Sequence, residues 1–412
     1  MITLSVFAIA YLFSAVPCNA QNVYNASTDL HHGLSEKIGN FSIELLYHVT
    51  QQEQNNKNLI ISPVTAWTLL AVTAEGATEK TLRELCSILR IVPNMRKQTR
   101  ADFKKIFQWL QVQTNTVDLV RYNAIFANEN KLLERDFVED AAEYDTKIIP
   151  ANFSDAENTA RVVNSAISAA TNGRISKIIS SEDLMDSQMI MTSVLYFKGQ
   201  WTSPFNASMT TKMPFYSSSG ERLGDVNMMY NRYTYPFANI KALQARVIEI
   251  PYGKENRLSM LIMLPHPGVS LQDMFLNFNN VSFDKVFTEL KRTTEEFGEE
   301  EVDCFIPRFK ISTDLDLTNT LKFMGIRDLF DESRARLPRM SRLPLYVSKI
   351  SHKAEIEVTE EGTTAAAVTT AEFSNRISII RFEASRPFCY LIVEKTTNSI
   401  AFGGFYNQPT LY

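Results

Sequence analysis

The side chains able to do acid–base, nucleophilic or metal chemistry are few and scattered. Histidine stands at His31, His32, His48, His266 and His352. None lies in a His-Glu-x-x-His pattern, and the chain has no Gly-x-Ser-x-Gly, no phosphate-binding loop and no Gly-x-Gly-x-x-Gly. Catalysis by the chain is not expected, and neither is a metal. Beyond Cys18 the cysteines are Cys86, Cys304 and Cys389. Their wide separation gives no zinc spacing, and their odd number excludes a complete set of internal pairs, so they read as buried hydrophobes.

The anomaly lies near the C-terminal end. Glu360 to Ser385 joins two strand-like stretches, and from Gly362 to Ala371 it is made of small and β-branched residues with hardly any charge. Loops beyond about 15 residues without structure of their own are usually functional or disordered. Extended at roughly 3.3 Å per residue, Gly362 to Arg376 would span about 46 Å. Such a strand could slide between two others.

Around it the chain reads as mixed α+β. Ser62-Pro63 pairs an N-cap with proline at the first helical position, and the helix they start ends at Gly76. Thr78 can cap the next helix, through Leu89, and further helices are expected at 99–112, 134–144 and 157–171. Strands are expected at 117–127, 189–198, 246–250 and 258–264, with a hairpin of Phe388 to Glu394 and Ser399 to Tyr406. No linker, repeat or low-complexity tract divides the 412 residues, so residues 21–412 are read as a single domain. Net charge is −4 at pH 7, with no basic footprint for nucleic acid.

Residues 1–20 read as a signal peptide: an apolar run too short for a typical membrane span, then Cys18-Asn19-Ala20 with small residues at the cleavage positions. Secretion gives meaning to the Asn-x-Ser sequons at Asn25, Asn40, Asn152, Asn206 and Asn280. In helical phase Leu34, Ile38, Phe41, Leu45 and Val49 form an apolar stripe and Asn40 falls on the other side, so a glycan there would point outward.

Across residues 30–412 the chain resembles the serpin family. The resemblance rests on NLIISPVTAWTLL (58–70), YFKGQWTSPF (196–205), EEGTTAAA (360–367), ASRPF (384–388) and FGGFYNQP (402–409), in family order and spacing. It implies three β-sheets, about nine helices and an exposed C-terminal reactive-centre loop at about 360–385. Counting from the hinge (Glu361, Gly362, Thr363, Thr364, Ala365, Ala366, Ala367) places the bait bond between Arg376 and Ile377. The ten-residue step from Ile377 to Pro387 agrees. Arg381 fails the hinge count, and Arg386 precedes proline.

By the same resemblance, a target protease acylates its serine on Arg376, and the segment from Thr363 then enters the main sheet as a new strand, dragging the protease with it. Thr363, Ala365, Ala367, Thr369, Ala371 and Phe373 share one face, and all but Phe373 are small enough to enter a packed layer. Arg376 suits a trypsin-like pocket ending in a carboxylate, with Phe373, Ser374 and Asn375 as further subsite residues. The expected partner is thus an extracellular trypsin-like serine protease in a covalent acyl complex, with the inhibitor a monomer and no membrane or nucleic acid involved. A non-inhibitory carrier, storage protein or chaperone is the alternative.

His352 matches the family's shutter histidine, Ser62 its hydroxyl neighbour and Trp201 the aromatic residue at the breach. Ser193 stands where the family usually has Asn, and its shorter reach predicts a looser or water-bridged network. Thr364 replaces a frequent Glu. Arg96, Lys97, Arg100, Lys104 and Lys105 resemble the cofactor helix of heparin-activated serpins, which makes a polyanion such as heparin the cofactor class to consider; a solvated helix face is the plainer reading. Glu295, Glu296, Glu299, Glu300, Glu301 and Asp303 read as an acidic solvated loop. Gly39-Asn40-Phe41 and Thr192 to Tyr196 resemble arthropod haemolymph members.

Overall fold

The structure is a computed structural model, and it describes residues 30–52, 57–112, 114–185, 187–298, 301–361 and 379–412. The signal-peptide reading, Asn25, Glu299, Glu300, the bait bond, its subsite residues and the hinge from Gly362 onward lie outside these residues.

The described residues build three sheets. The first has five strands: β2 (Val117–Asn128), β3 (Thr146–Ala151), β4 (Met189–Gly199), β11 (Phe309–Asp316) and β12 (Lys349–Val358), in the order β11-β12-β4-β2-β3. The second has six: β1 (Leu59–Ile61), β7 (Phe237–Ile240), β8 (Ala245–Tyr252), β9 (Leu258–Pro265), β14 (Phe388–Glu394) and β15 (Ser399–Tyr406), in the order β1-β15-β14-β9-β8-β7. The third joins β5 (Thr211–Tyr216), β6 (Arg222–Thr234), β10 (Glu301–Pro307) and β13 (Ile380–Glu383) in the order β13-β10-β6-β5.

The α-helices are α1 (Leu30–Gln52), α2 (Pro63–Gly76), α3 (Glu79–Leu89), α4 (Arg96–Leu110), α5 (Arg135–Ala142), α6 (Ala156–Ala170), α7 (Ser181–Leu184), α8 (Leu271–Asn277), α9 (Asp284–Phe297) and α10 (Thr318–Met324). No helix among the described residues is long and apolar enough to cross a membrane.

Burial explains which elements declare themselves in the sequence. Every residue of α2, β14 and β15 is buried, and these are continuous apolar runs with clean ends. α6 lays Ala160, Val163 and Ile167 on the five-stranded sheet, over Phe126 of β2 and Ile190 and Val194 of β4. On α1 the expected stripe is buried, and Ile43 and Leu46 are buried with it.

Local differences from expectation have physical reasons. Neither Ser62 nor Thr78 caps its helix with its side chain. Ser62 Oγ instead donates to the Ala401 carbonyl at 2.8 Å, because the start of α2 is packed inside the molecule rather than facing water. The acidic group is no loop: Glu295 and Glu296 are on α9, Glu301 and Asp303 on β10, and Asp303 accepts from Tyr230 Oη at 2.7 Å and Arg232 Nε at 2.8 Å. The end of the 360–385 segment is also ordered, since β13 pairs in parallel with β10 from Val302↔Ile380 to Phe305↔Glu383.

Candidate functional site

The site is a seam between strands rather than a cleft. β4 and β12 run parallel and pair directly, from Lys349↔Ile190 to Ile356↔Phe197. Their outer neighbours, β2 and β11, are antiparallel to them. A chain leaving β12 at Val358 and doubling back would be antiparallel to both seam strands, and so would exchange one parallel ladder for two antiparallel ones.

At mid-seam the register sets His352 opposite Ser193, and Ser193 opposite Asn123 of β2. His352 is completely buried, and that burial pulls its pKa down to about 3. The Ser62 backbone N–H donates to Nε2 at 2.9 Å, which fixes the neutral ring as the Nδ1–H tautomer. Nδ1 lies 3.1 Å from Ser193 Oγ, Ser193 Oγ donates to Thr65 Oγ1 at 2.5 Å, and Thr65 Oγ1 donates to the Ser62 carbonyl at 2.9 Å. The four bonds form a closed ring with one direction of donation.

Ser193 therefore reaches both neighbours directly, despite its short side chain, because adjacent strands already hold it close to His352. Ser62 meets His352 through its backbone N–H rather than its hydroxyl. Around the ring, Asn123 Oδ1, Thr192 Oγ1 and Ser351 Oγ are buried with no hydrogen-bond partner among the described residues. Unsatisfied buried groups on all three strands lower the cost of prising this part of the sheet open.

At the upper end of the seam Trp201 Nε1 donates to the Thr359 carbonyl at 2.8 Å, and its ring stacks on Tyr252 at 4.3 Å. Glu360 is buried, accepting from Thr210 Oγ1 at 2.6 Å and lying 3.4 Å from Arg308 Nη1. Arg308 also lies over the ring of Tyr412, whose hydroxyl donates to Glu357 at 2.7 Å. Glu361, the next residue, is exposed. Thr65, Asn123, Thr210, Arg308 and Tyr412 were not marked by sequence reasoning. Thr65 had a signal, three residues after Ser62 in the first helical turn; the others meet the seam from distant parts of the chain.

The basic residues near α4 are largely committed to internal partners. Arg96 donates to the Ala74 carbonyl at 2.8 Å and lies 3.8 Å from Glu75; Arg100 pairs with Asp140, Lys104 with Glu143, and Lys105 lies 3.7 Å from Asp102. Lys97 is exposed. This arrangement favours a structural role over polyanion capture. Of the sequon asparagines, Asn152, Asn206 and Asn280 are exposed and Asn40 is half-buried. Arg381 is paired with Glu383 in β13, and Arg386 donates twice to the Pro265 carbonyl. Among the described residues no group of His, Cys, Asp and Glu could hold a metal ion.

A family model described as Serpin (serine protease inhibitor) matches residues 36–409. The chain is 30% identical over 387 residues to Serpin B9 of Homo sapiens, covering 91% of this chain and 99% of that one. It is 30% identical over 390 residues to Antithrombin-III of Mus musculus, covering 91% and 82%. Among solved structures it is similar to Manduca sexta Serine protease inhibitor (Serpin)-12, with TM-score 0.78, 26% identity and coverage of 91% and 99%. It is also similar to native protease nexin-1 with heparin, with TM-score 0.77, 25% identity and coverage of 92% and 99%.

Proposed function

The chain belongs to the serpin family, and from that premise we propose that it is a secreted, glycosylated suicide-substrate inhibitor of trypsin-like serine proteases, with Arg376–Ile377 as the bait bond. The observation that carries this reading is the direct parallel pairing of β12 with β4. The seam is closed but internally under-satisfied, and β12 leads straight into the small-residue segment that would enter it.

Two further observations support the choice of bond. Arg381 and Arg386 are held by strand pairing, an ion pair and carbonyl bonds, so neither is free to extend into a protease cleft. The seam-facing residues from Thr363 to Ala371 carry no charge, bulk or proline that would obstruct insertion.

The test is incubation of the secreted protein with trypsin at equal molarity, followed by denaturing electrophoresis and mass spectrometry of the released peptide. The expected result is a complex that survives denaturation and a C-terminal peptide beginning at Ile377. Cleavage with fully active trypsin and no complex would overturn the reading in favour of a carrier or storage protein.

A further inference from the structure

A second cluster, on the six-stranded sheet, has no part in the seam. Arg246 of β8 stands opposite Leu264 of β9, and Ala245 opposite Pro265. Arg386, in the link from β13 to β14, donates to the Pro265 carbonyl through Nε at 3.2 Å and Nη2 at 2.6 Å. His266 follows Pro265 and is tied by its backbone N–H to the Gln244 carbonyl at 2.7 Å. Arg246 is thus one register position from Pro265, whose carbonyl holds Arg386 and which His266 follows in the chain.

Their surroundings are partly apolar, although His266 Nε2 lies 2.8 Å from Asn239 Oδ1. The Arg246 guanidinium lies 5.2 Å from the ring of Phe237 and 5.7 Å from that of Phe382, and it donates to the Arg381 carbonyl. Both arginines are half-buried, yet among the described residues neither forms an ion pair. The nearby carboxylate, Glu383, is engaged by Arg381. The field is felt by the neighbours: burial is the first cause that lowers the pKa of Arg386, then Arg246, with Glu383 acting the other way; for His266 it is burial, then Arg386 and Arg246. Two guanidinium groups held together in a partly desolvated place, with only the Arg381-bound carboxylate of Glu383 acting against them, cost free energy unless a further anion joins them.

We propose that Arg246 and Arg386, with His266 beside them, form a binding site for a divalent tetrahedral oxyanion, a sulfate or phosphate group. Each guanidinium keeps donors not used on carbonyls, and a planar fork matches the oxygens of such a group. With Arg381 set against Glu383, the group keeps the net positive charge of Arg246 and Arg386, which a dianion matches better than the single charge of a carboxylate. The site is independent of the bait-bond reading.

The experiment titrates the intact protein with sodium sulfate at constant ionic strength made up with sodium chloride, following the ring resonances of His266 by NMR. A saturable shift is expected with sulfate and not with chloride. In Arg246→Gln the affinity should fall by roughly tenfold or more, the loss of a charge-assisted pair. Arg100→Gln, in the paired cluster on α4, should leave it unchanged. A heparin octasaccharide, whose sulfate groups each carry a single charge, should act no more strongly per sulfate group than free sulfate; tighter action would overturn the selection of a dianion. No saturable shift in the wild-type protein overturns the proposal without any variant, as does a folded Arg246→Gln and Arg386→Gln pair that both retain it.

Discussion

At the scale of single residues, the ring Ser62–His352–Ser193–Thr65 has one consistent direction of donation, and each hydroxyl in it both gives and takes a bond. Ser193→Ala removes the acceptor of Nδ1–H and the donor to Thr65 at once. It leaves a buried donor unsatisfied, so the first unfolding transition in urea should weaken by about 1–3 kcal/mol. An unchanged midpoint would show that the ring adds nothing. The same ring makes a pH prediction. Burial holds folded His352 neutral, with a pKa of about 3, below the ordinary 6.5. Its folded-state stability is therefore complete above pH 6.5 and is lost as pH falls from there toward 3. The non-titrating His352→Gln should flatten the pH dependence of stability across that window by up to about 1.4 kcal/mol per pH unit. Equal slopes in the two proteins would remove His352 as its source. His352, Ser62 and Ser193 could be named from the sequence because each sits in a recognisable motif. The tautomer, the role of Thr65 and the Arg308–Glu360 contact could not, since they depend on strand register and on partners far away in the chain.

At the scale of elements, legibility followed burial. The β14–β15 hairpin was readable to the residue because both strands are continuous buried runs bounded by polar turns. β5, β6, β10 and β13 were missed, being partly exposed strands interrupted by polar residues, and β1 was missed although fully buried because it has three residues only. The tight packing of β1 on β15 also makes a testable demand. A Cβ at Gly404 would lie 2.3 Å from the Leu59 carbonyl oxygen and 2.4 Å from Tyr390 Oη. Backbone cannot yield as a flexible side chain can, so Gly404→Ala should destabilise by about 1–3 kcal/mol or more and reduce the yield of secreted protein. Gly220→Ala, at a solvent-facing turn with φ +88° and nothing within contact distance of the added carbon, is the control. It carries backbone strain without a clash, and its smaller loss would show that contact with β1, not glycine's conformational freedom, dominates at Gly404.

At the scale of the whole molecule, β12 and β13, the strands on either side of residues 362–378, are anchored in different sheets: β12 in the five-stranded one and β13 in the four-stranded one. A strand filling the paired seam, from Lys349↔Ile190 to Ile356↔Phe197, must run about 23 Å down it, away from β13. An intact chain fastened at Ile380 resists that movement, whereas a chain cut between the two anchors does not. Cutting should thus release a more stable arrangement, the opposite of what nicking a surface loop ordinarily does. The gain can be bounded. Two antiparallel ladders replace one parallel ladder, adding on the order of eight backbone hydrogen bonds at about 1 kcal/mol net each. For a domain of this size that corresponds to a rise in thermal midpoint on the order of 10 °C. Limited digestion with a protease that cuts within 362–378, followed by calorimetry of the nicked but still associated protein, checks it. A midpoint that stays level or falls would mean that the seam does not accept the segment, and the trapping mechanism would lose its driving force even if Arg376–Ile377 proved to be the bond cut. A clear rise, together with loss of the rise when Ala367 is replaced by a bulky charged residue, would tie the stored free energy to entry of that face of the segment into the sheet.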